Sequence, residues 1–125
     1  MLKIIKRQTM AIIIMTDDPD FLLGRINKLL REKGDRFWQI DTDNDLTLQT
    51  TGIDRAWFHA YPNAKEKSNS LVFGIIGMKE KKMTNYTYSL YHGLFITFLL
   101  NYFDQDIQKI EPTVLLCSDY DKTLI

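Results

Sequence analysis

The segment from Arg36 to Lys79 constrains the fold most, because strand-like stretches follow one another there with only short connections between them. Aromatic and β-branched residues are concentrated in four stretches: RFWQID (36–41), LTLQT (46–50), RAWFHAY (55–61) and SLVFGIIGMK (70–79). Parallel neighbours in a sheet would need a crossover of about a dozen or more residues between strands. The four stretches are therefore predicted to pair as antiparallel strands.

Two helices flank this group of strands in the sequence. Asp18 is a suitable N-cap for the first helix, with Pro19 at its first position, and Gly34 suits its end. The second helix is predicted to begin after Thr84 and to continue to Ile110, because apolar residues recur at spacings of three and four. A proline at position 112 would then prevent any further helical turn.

Two further strands complete the predicted domain. Thr9–Thr16 carries apolar residues without alternation, as a strand buried on both faces does, and TVLLCS (113–118) is the last strand-like stretch. The order is β-α-β-β-β-β-α-β. We therefore predict a single α+β domain over residues 1–125, with a mainly antiparallel sheet of five to six strands and two helices packed on one face.

The second predicted helix is unusual because it contains no Asp, Glu, Lys or Arg from Thr84 to Phe103. A membrane span is not expected, since polar residues such as His92 are costly in lipid. A helix that is apolar nearly all round must be covered on more than one side. Ser89, Gly93 and Thr97 recur four apart and permit close approach, either to the sheet or to the same helix of a second subunit.

The overall composition excludes several classes of partner. Sixteen basic residues balance sixteen acidic ones, so no net field favours nucleic acid or an anionic membrane. Cys117 is the single cysteine, which excludes an internal disulfide and fits a reducing cytoplasm. The apolar run from Met10 to Met15 is shorter than the core of a signal peptide. We expect a cytoplasmic protein that binds neither nucleic acid nor membrane.

The C-terminal stretch PTVLLCSDYDKTLI places D-x-D-x-T-L after an apolar run. Over these residues the chain resembles the first motif of the haloacid dehalogenase phosphatases. The resemblance implies phosphoryl transfer, with Asp119 as the nucleophile, Asp121 as the general acid and a magnesium ion at Asp119. It also implies a doubly wound parallel sheet, which the antiparallel prediction opposes. A solvated acidic turn is the alternative that we favour, and phosphoryl transfer remains a remote hypothesis.

Three aspartates in DTDNDLTLQTTG (41–52) have the spacing of a calcium-binding loop. Asp41, Asp43 and Asp45 match its first, third and fifth positions, but Leu46 stands where glycine is needed and Gly52 where a bidentate glutamate is needed. A polar turn between two strands explains the same residues. We therefore predict no metal site and no cofactor.

The aromatic strand residues are the main candidates for a binding surface. Alternation along 55–61 places Trp57, His59 and Tyr61 on one face of the sheet and Phe58 on the other. Together with Trp38, the first three would form an aromatic face for a protein partner or a small apolar ligand. The alternative is a second layer that covers this face.

These observations favour a non-catalytic binding or protein-interaction domain that self-associates as a homo-oligomer. The predicted binding residues are Trp38, Trp57, His59 and Tyr61, and Ser89, Gly93 and Thr97 are the predicted subunit interface. The main alternative is an enzyme with a small pocket that uses His59 or His92 for acid–base chemistry, with a tyrosine or an aspartate from the acidic turns.

Overall fold

The computed structural model describes residues 11–49, 52–62 and 69–112, which form an α+β domain with one six-stranded sheet. All pairs of neighbouring strands are antiparallel, in the order β2-β3-β4-β5-β1-β6. The predicted order of strands and helices is confirmed. The elements are β1 (Ala11–Met15), α1 (Pro19–Glu32), β2 (Trp38–Ile40), β3 (Leu46–Leu48), β4 (Trp57–Tyr61), β5 (Ser70–Ile76), α2 (Asn85–Phe103) and β6 (Lys109–Pro112).

Helix α1 has the ends that its sequence predicts. The Asp18 carboxylate accepts a hydrogen bond from the Phe21 N–H at 3.0 Å, which satisfies one of the unpaired donors of the first turn. At the other end Gly34 has a φ of 74°, and its N–H donates to the Leu29 carbonyl. The side chains of Leu22, Ile26 and Leu30 lie along one stripe of the helix and are buried against the sheet.

The turn between β2 and β3 is organised by Asp41. Its carboxylate accepts hydrogen bonds from the N–H groups of Asp43 and Asp45 at 2.9 and 3.0 Å. Asn44 has a φ of 65°, the left-handed conformation that asparagine tolerates better than most residues. The polar residues of this stretch are therefore explained by the needs of a tight turn.

Helix α2 begins as predicted but is shorter than predicted. The Thr84 hydroxyl accepts from the Thr87 N–H at 3.1 Å and caps the first turn. The helix ends at Phe103, not at Ile110, and a short 3₁₀ turn follows at 104–106. Two aspartates in that turn oppose the negative end of the helix dipole, which disfavours further helical turns.

The residues after this turn form β6, an edge strand that pairs with β1. The prediction had assigned its first residues to the helix and placed the last strand at 113–118, which lies outside the described residues. Pro112 is the last described residue of β6 and pairs with Ile12. Proline is tolerated in such a place because an edge strand needs fewer N–H donors.

Both helices pack on the same face of the sheet, as predicted, over a core rich in aromatic rings. Phe95 of α2 lies at its centre. Its ring centroid is 4.7 Å from that of Phe73, 4.9 Å from that of Phe58 and 5.3 Å from that of Trp38. Edge-on and stacked aromatic contacts of this kind add to the large area that each ring buries.

The opposite face of the sheet is also buried at its centre. Ala11, Ile13 and Val72 form a small apolar cluster there, and Trp57 and Ile76 form a second one. All five side chains are buried within the single chain. At these positions the face is therefore buried and not open to a partner.

Candidate functional site

The four predicted binding residues do not lie together. Trp38 is on the helix-covered face, where its indole packs against Phe58, Tyr91 and Phe95 and its Nε1–H donates to the Leu94 carbonyl at 3.4 Å. Its pairing opposite Leu48 in β3 fixes this orientation, because directly paired residues share a face of the sheet. Trp38 is therefore a core residue in the structure and is separated by the sheet from the other three.

Trp57, His59 and Tyr61 share the opposite face, as alternation along β4 predicts. The Trp57 side chain is only 4% exposed and packs against Ile76, so it offers almost no surface to a partner. His59 and Tyr61 are half-buried, and their ring centroids are 5.0 Å apart. Only these two of the four residues combine an aromatic ring with accessible surface.

His59 is paired with Asp45, an aspartate of the acidic turns that the enzyme alternative named only as a group. Its Nδ1 lies 2.6 Å from Oδ1 of Asp45, whose side chain is almost completely buried. The register of β3 and β4, in which Leu46 pairs with Phe58, brings the two residues together. A buried carboxylate at Nδ1 fixes the orientation of an imidazole.

His92 has a structural environment. Its Nδ1–H donates to the Tyr88 carbonyl at 2.9 Å, one helical turn earlier, and its ring stacks on the Tyr88 ring with centroids 4.2 Å apart. Phe58 packs edge-on against the other side of the ring. His92 is buried, so it presents no open ring face for acid–base chemistry.

The carboxylates of Asp41, Asp43 and Asp45 lie close together, with an oxygen of each within 4.8 Å of the others. Asp41 serves the turn through two backbone hydrogen bonds, and Asp45 serves His59. Two of the three carboxylates therefore have hydrogen-bond partners within the domain.

The three predicted interface residues lie on the outer side of α2, away from the sheet. Ser89, Gly93 and Thr97 are all exposed, so the alternative in which they sit over the sheet is not observed. The hydroxyls of Ser89 and Thr97 donate to the carbonyls of Tyr86 and Gly93, at 3.2 and 2.9 Å. A Cβ added at Gly93 would meet nothing within 4 Å. No neighbour within the chain therefore requires a glycine there.

Large apolar side chains flank these small residues. Tyr86 is 64% exposed and Leu100 is 52% exposed, and Ile96 is partly buried beside them. The outer face of α2, defined by Tyr86, Ser89, Gly93, Ile96, Thr97 and Leu100, carries no charge along its length. An uncharged helix face in water is uncommon, because the exposed side of a helix normally carries charged residues.

Sequence reasoning missed a second group of exposed aromatic residues, near the C-terminal end of α2. Phe21 of α1 is 59% exposed, and Tyr102 and Phe37 are exposed as well. The Tyr102 hydroxyl donates to Oδ1 of Asp35 at 2.9 Å. This hydrogen bond, the negative charge of Asp35 and desolvation raise the pKa of Tyr102 above its ordinary value. The available sequence signal was the position of Phe21, which falls outside the buried stripe of α1.

Two further predictions concern the rest of the chain. Asp119, Asp121 and Cys117 lie outside the described residues. The sheet is antiparallel throughout its described strands, whereas the phosphatase resemblance implies a parallel one. Within the described ranges neither helix combines the length and the hydropathy that crossing a bilayer requires.

No protein-family model matches the chain, and comparisons with curated proteins and with solved structures find no significant match.

Proposed function

We propose that this chain is a protein-interaction domain that self-associates as a symmetric dimer through the outer face of α2. The observation that carries the proposal is the absence of charge on a helix face that no described residue covers. In this chain 26% of residues are charged, yet α2 has none on either side. Exposure of such a face to water is unfavourable, and its burial against a second apolar surface is favourable.

A second copy of the same chain is the occupant that fits this face best. In a twofold contact the patch meets its own copy, so a charge close to the axis would face a like charge. The outer face of α2 avoids this repulsion because it has no charge of either sign. The hydroxyls of Ser89 and Thr97 already donate to carbonyls of their own helix, so burying them leaves no donor unsatisfied.

The positions of the small residues suit a crossing of two α2 helices. Gly93 lies within one residue of the middle of α2. A twofold axis at Gly93 lets both helices overlap over most of their length, about 28 Å at 1.5 Å per residue. Ridges four residues apart interdigitate in the commonest class of helix crossing, and Ser89, Gly93 and Thr97 have that spacing. Leu100 and Tyr86 then lie at the two ends of the contact.

Gly93→Glu tests the proposal without endangering the fold. Glutamate is a better helix former than glycine, and a Cβ at this position meets no described atom within 4 Å. In the dimer it would place two carboxylates opposite each other. We expect the dissociation constant of the dimer to rise at least about tenfold, equivalent to about 1.4 kcal/mol. Sedimentation velocity over about a hundredfold range of concentration measures this change.

Gly24→Glu is the matched control. Gly24 is an exposed glycine in α1, and a Cβ there also meets nothing within 4 Å. Its neighbours one turn away, Asp20 and Lys28, are charged, so this surface is suited to water. We expect Gly24→Glu to leave the mass distribution unchanged. A monomeric wild-type protein at all concentrations, or equal dissociation in the two variants, would contradict the proposal.

A second candidate function is acid–base catalysis at His59, favoured by its pairing with Asp45. The carboxylate would hold the imidazole so that Nε2 accepts a proton from a nucleophile, while Asp45 stabilises the cation that forms. His59 borders none of four cavities that described residues line, with volumes of about 510, 200, 10 and 300 Å³. A substrate would therefore have to bind on the open side of the imidazole.

Hydrolysis of p-nitrophenyl acetate tests this second candidate. We expect His59→Ala to reduce the rate to that of buffer and Asp45→Asn to reduce it at least about tenfold, within the range for a lost general base. Asp43→Asn, which alters an exposed carboxylate of the same turn, is the control and should leave the rate unchanged. Equal rates for the wild type and His59→Ala would eliminate catalysis by this pair.

A further inference from the structure

A cavity of about 510 Å³ lies between α1 and the C-terminal end of α2. Its volume is within the range of about 300–1,000 Å³ that is typical of small-molecule sites. It does not include any residue of the outer face of α2, so the binding of a ligand in this cavity is independent of self-association.

The walls of this cavity are largely apolar and aromatic. Phe21 and Leu29 contribute from α1, and Tyr102 and Phe103 from α2. Phe21 has most of its ring exposed, which is not explained by packing within the domain. Aromatic walls favour a flat aromatic body, because stacked and edge-on ring contacts are stronger than the buried area alone implies.

The rim of the cavity is positively charged. Arg25, Lys28 and Lys33 line it together with a single acidic residue, Glu32. Neither lysine is ion-paired with any residue that the structure describes. The rim therefore carries more positive than negative charge in a chain that is neutral overall.

Arg25 is held in place within the cavity. Its guanidinium carbon lies 5.7 Å from the centroid of the Phe21 ring and 5.4 Å from that of Phe103, while one nitrogen forms an ion pair with Asp106. A guanidinium has five N–H donors, so the pair with Asp106 does not exhaust its capacity. A ligand would meet an arginine whose position is already fixed, which lowers the entropic cost of binding.

We propose that this cavity binds a small aromatic anion, such as an aryl carboxylate. The aromatic body would lie between Phe21 and Tyr102, and the anionic group would face Lys28 and Arg25 at the rim. The positive charge of the rim favours an anionic group on the ligand, and the aromatic walls favour an aromatic body.

The fluorescent aromatic sulfonate 1-anilinonaphthalene-8-sulfonate tests the proposal, with N-phenyl-1-naphthylamine as its uncharged counterpart. Fluorescence titration gives the dissociation constant of each probe for the folded protein. We expect the anionic probe to bind at least about tenfold more tightly than the neutral one. We also expect added salt to weaken the anionic probe alone, because salt screens charge–charge attraction.

Two pairs of variants locate the bound probe. Lys28→Glu should weaken the anionic probe about tenfold and leave the neutral one unchanged, whereas Lys79→Glu, an exposed lysine outside the cavity, should alter neither. Phe21→Ala should weaken both probes, whereas Phe37→Ala, which alters an exposed phenylalanine outside the cavity, should weaken neither. All four substitutions alter exposed side chains, so the fold should be retained.

The outcomes separate the cavity from non-specific adsorption. Weakening by Lys28→Glu and Phe21→Ala, but not by their controls, supports the aromatic-anion site. Equal affinity for the two probes, equal effects of the paired variants, or no binding of the anionic probe would overturn the proposal.

Discussion

Helices α1 and α2 pack on the same face of one sheet but differ in what their outer sides present. Helix α1 carries charged residues on its outer side, such as Asp20, Arg25 and Lys28, and buries only a narrow stripe. Helix α2 also buries its inner side against the sheet, but it contains no charged residue. Because the two helices share a core, the difference concerns only their surfaces.

This difference teaches that burial against the sheet does not account for the composition of α2. The stripe that contains Tyr91, Phe95 and Leu99 would satisfy the core by itself. The outer face of α2 would then be free to carry lysine and glutamate, as that of α1 does. The proposed self-association through this face would account for its lack of charge.

The largest expected effect separates the two sides of α2. Phe95→Ala should lower the free energy of unfolding by about 3–5 kcal/mol, because it removes the ring at the centre of the aromatic core. Leu100→Ala on the outer side should change the stability of the monomer by no more than about 0.5 kcal/mol. Urea denaturation at low protein concentration measures both. A large loss in Leu100→Ala would mean that the outer side is packed within the monomer.

The helix caps should differ in how they respond to salt. Asp18→Ala and Thr84→Ala should each lower the free energy of unfolding by about 1 kcal/mol, since each side chain accepts an N–H of the first turn. Asp18 also places a negative charge at the positive end of α1, and salt screens this contribution. High salt should therefore reduce the loss of unfolding free energy caused by Asp18→Ala and leave the loss caused by Thr84→Ala unchanged. Denaturation at low and high salt measures both. The same salt response in both variants would refute this distinction.

Alanine at the two exposed helical glycines sharpens the comparison further. Gly24→Ala and Gly93→Ala should each stabilise the monomer by up to about 1 kcal/mol, because alanine is the better helix former and neither site is obstructed. Only Gly93→Ala should also weaken self-association, since the added methyl would keep two crossing helices apart. Denaturation midpoints measured at several protein concentrations would reveal this, and identical concentration dependence in both variants would count against the interface.

The smallest effect concerns Tyr102, which ties the end of α2 to the loop after α1. Its raised pKa means that the folded protein holds this proton more tightly than the unfolded chain does. The resulting stability is fully present below the ordinary tyrosine pKa of about 10 and is lost as the pH rises above it. The stability difference between the wild type and Tyr102→Phe should therefore shrink from pH 9 to pH 11. A constant difference would show that the hydrogen bond to Asp35 does not control this proton.

The sequence predicted the elements of the fold better than it predicted the site. The antiparallel meander, the two caps and the order of elements followed from local rules, namely short connections, capping residues and periodicity. The end of α2 did not, because apolar spacing continues through Ile107 and Ile110 after the helix has ended. Periodicity alone cannot distinguish a further helical turn from a 3₁₀ turn that leads into a strand.

The site residues depended on strand register and helix placement, which no local rule supplies. Trp38 and Trp57 both belong to strands, but register places them on opposite faces. The pairing of Asp45 with His59 results from the same register between β3 and β4. The cavity beside Phe21 depends on the space between two helices, which requires the packed structure.

The position of β1 between β5 and β6 has a consequence for how the domain assembles. Although β1 comes early in the chain, it is flanked by β5 and β6, so that Ile12 lies between Phe73 and Pro112. Contacts between residues so far apart in sequence slow folding, because a large loop must close before they form. On a ribosome, which adds residues from the N-terminus onward, an apolar strand would emerge well before either of its neighbours exists. We therefore expect a chaperone to bind residues 11–15 during synthesis. This is the step of folding at which the protein should depend most on other cellular factors.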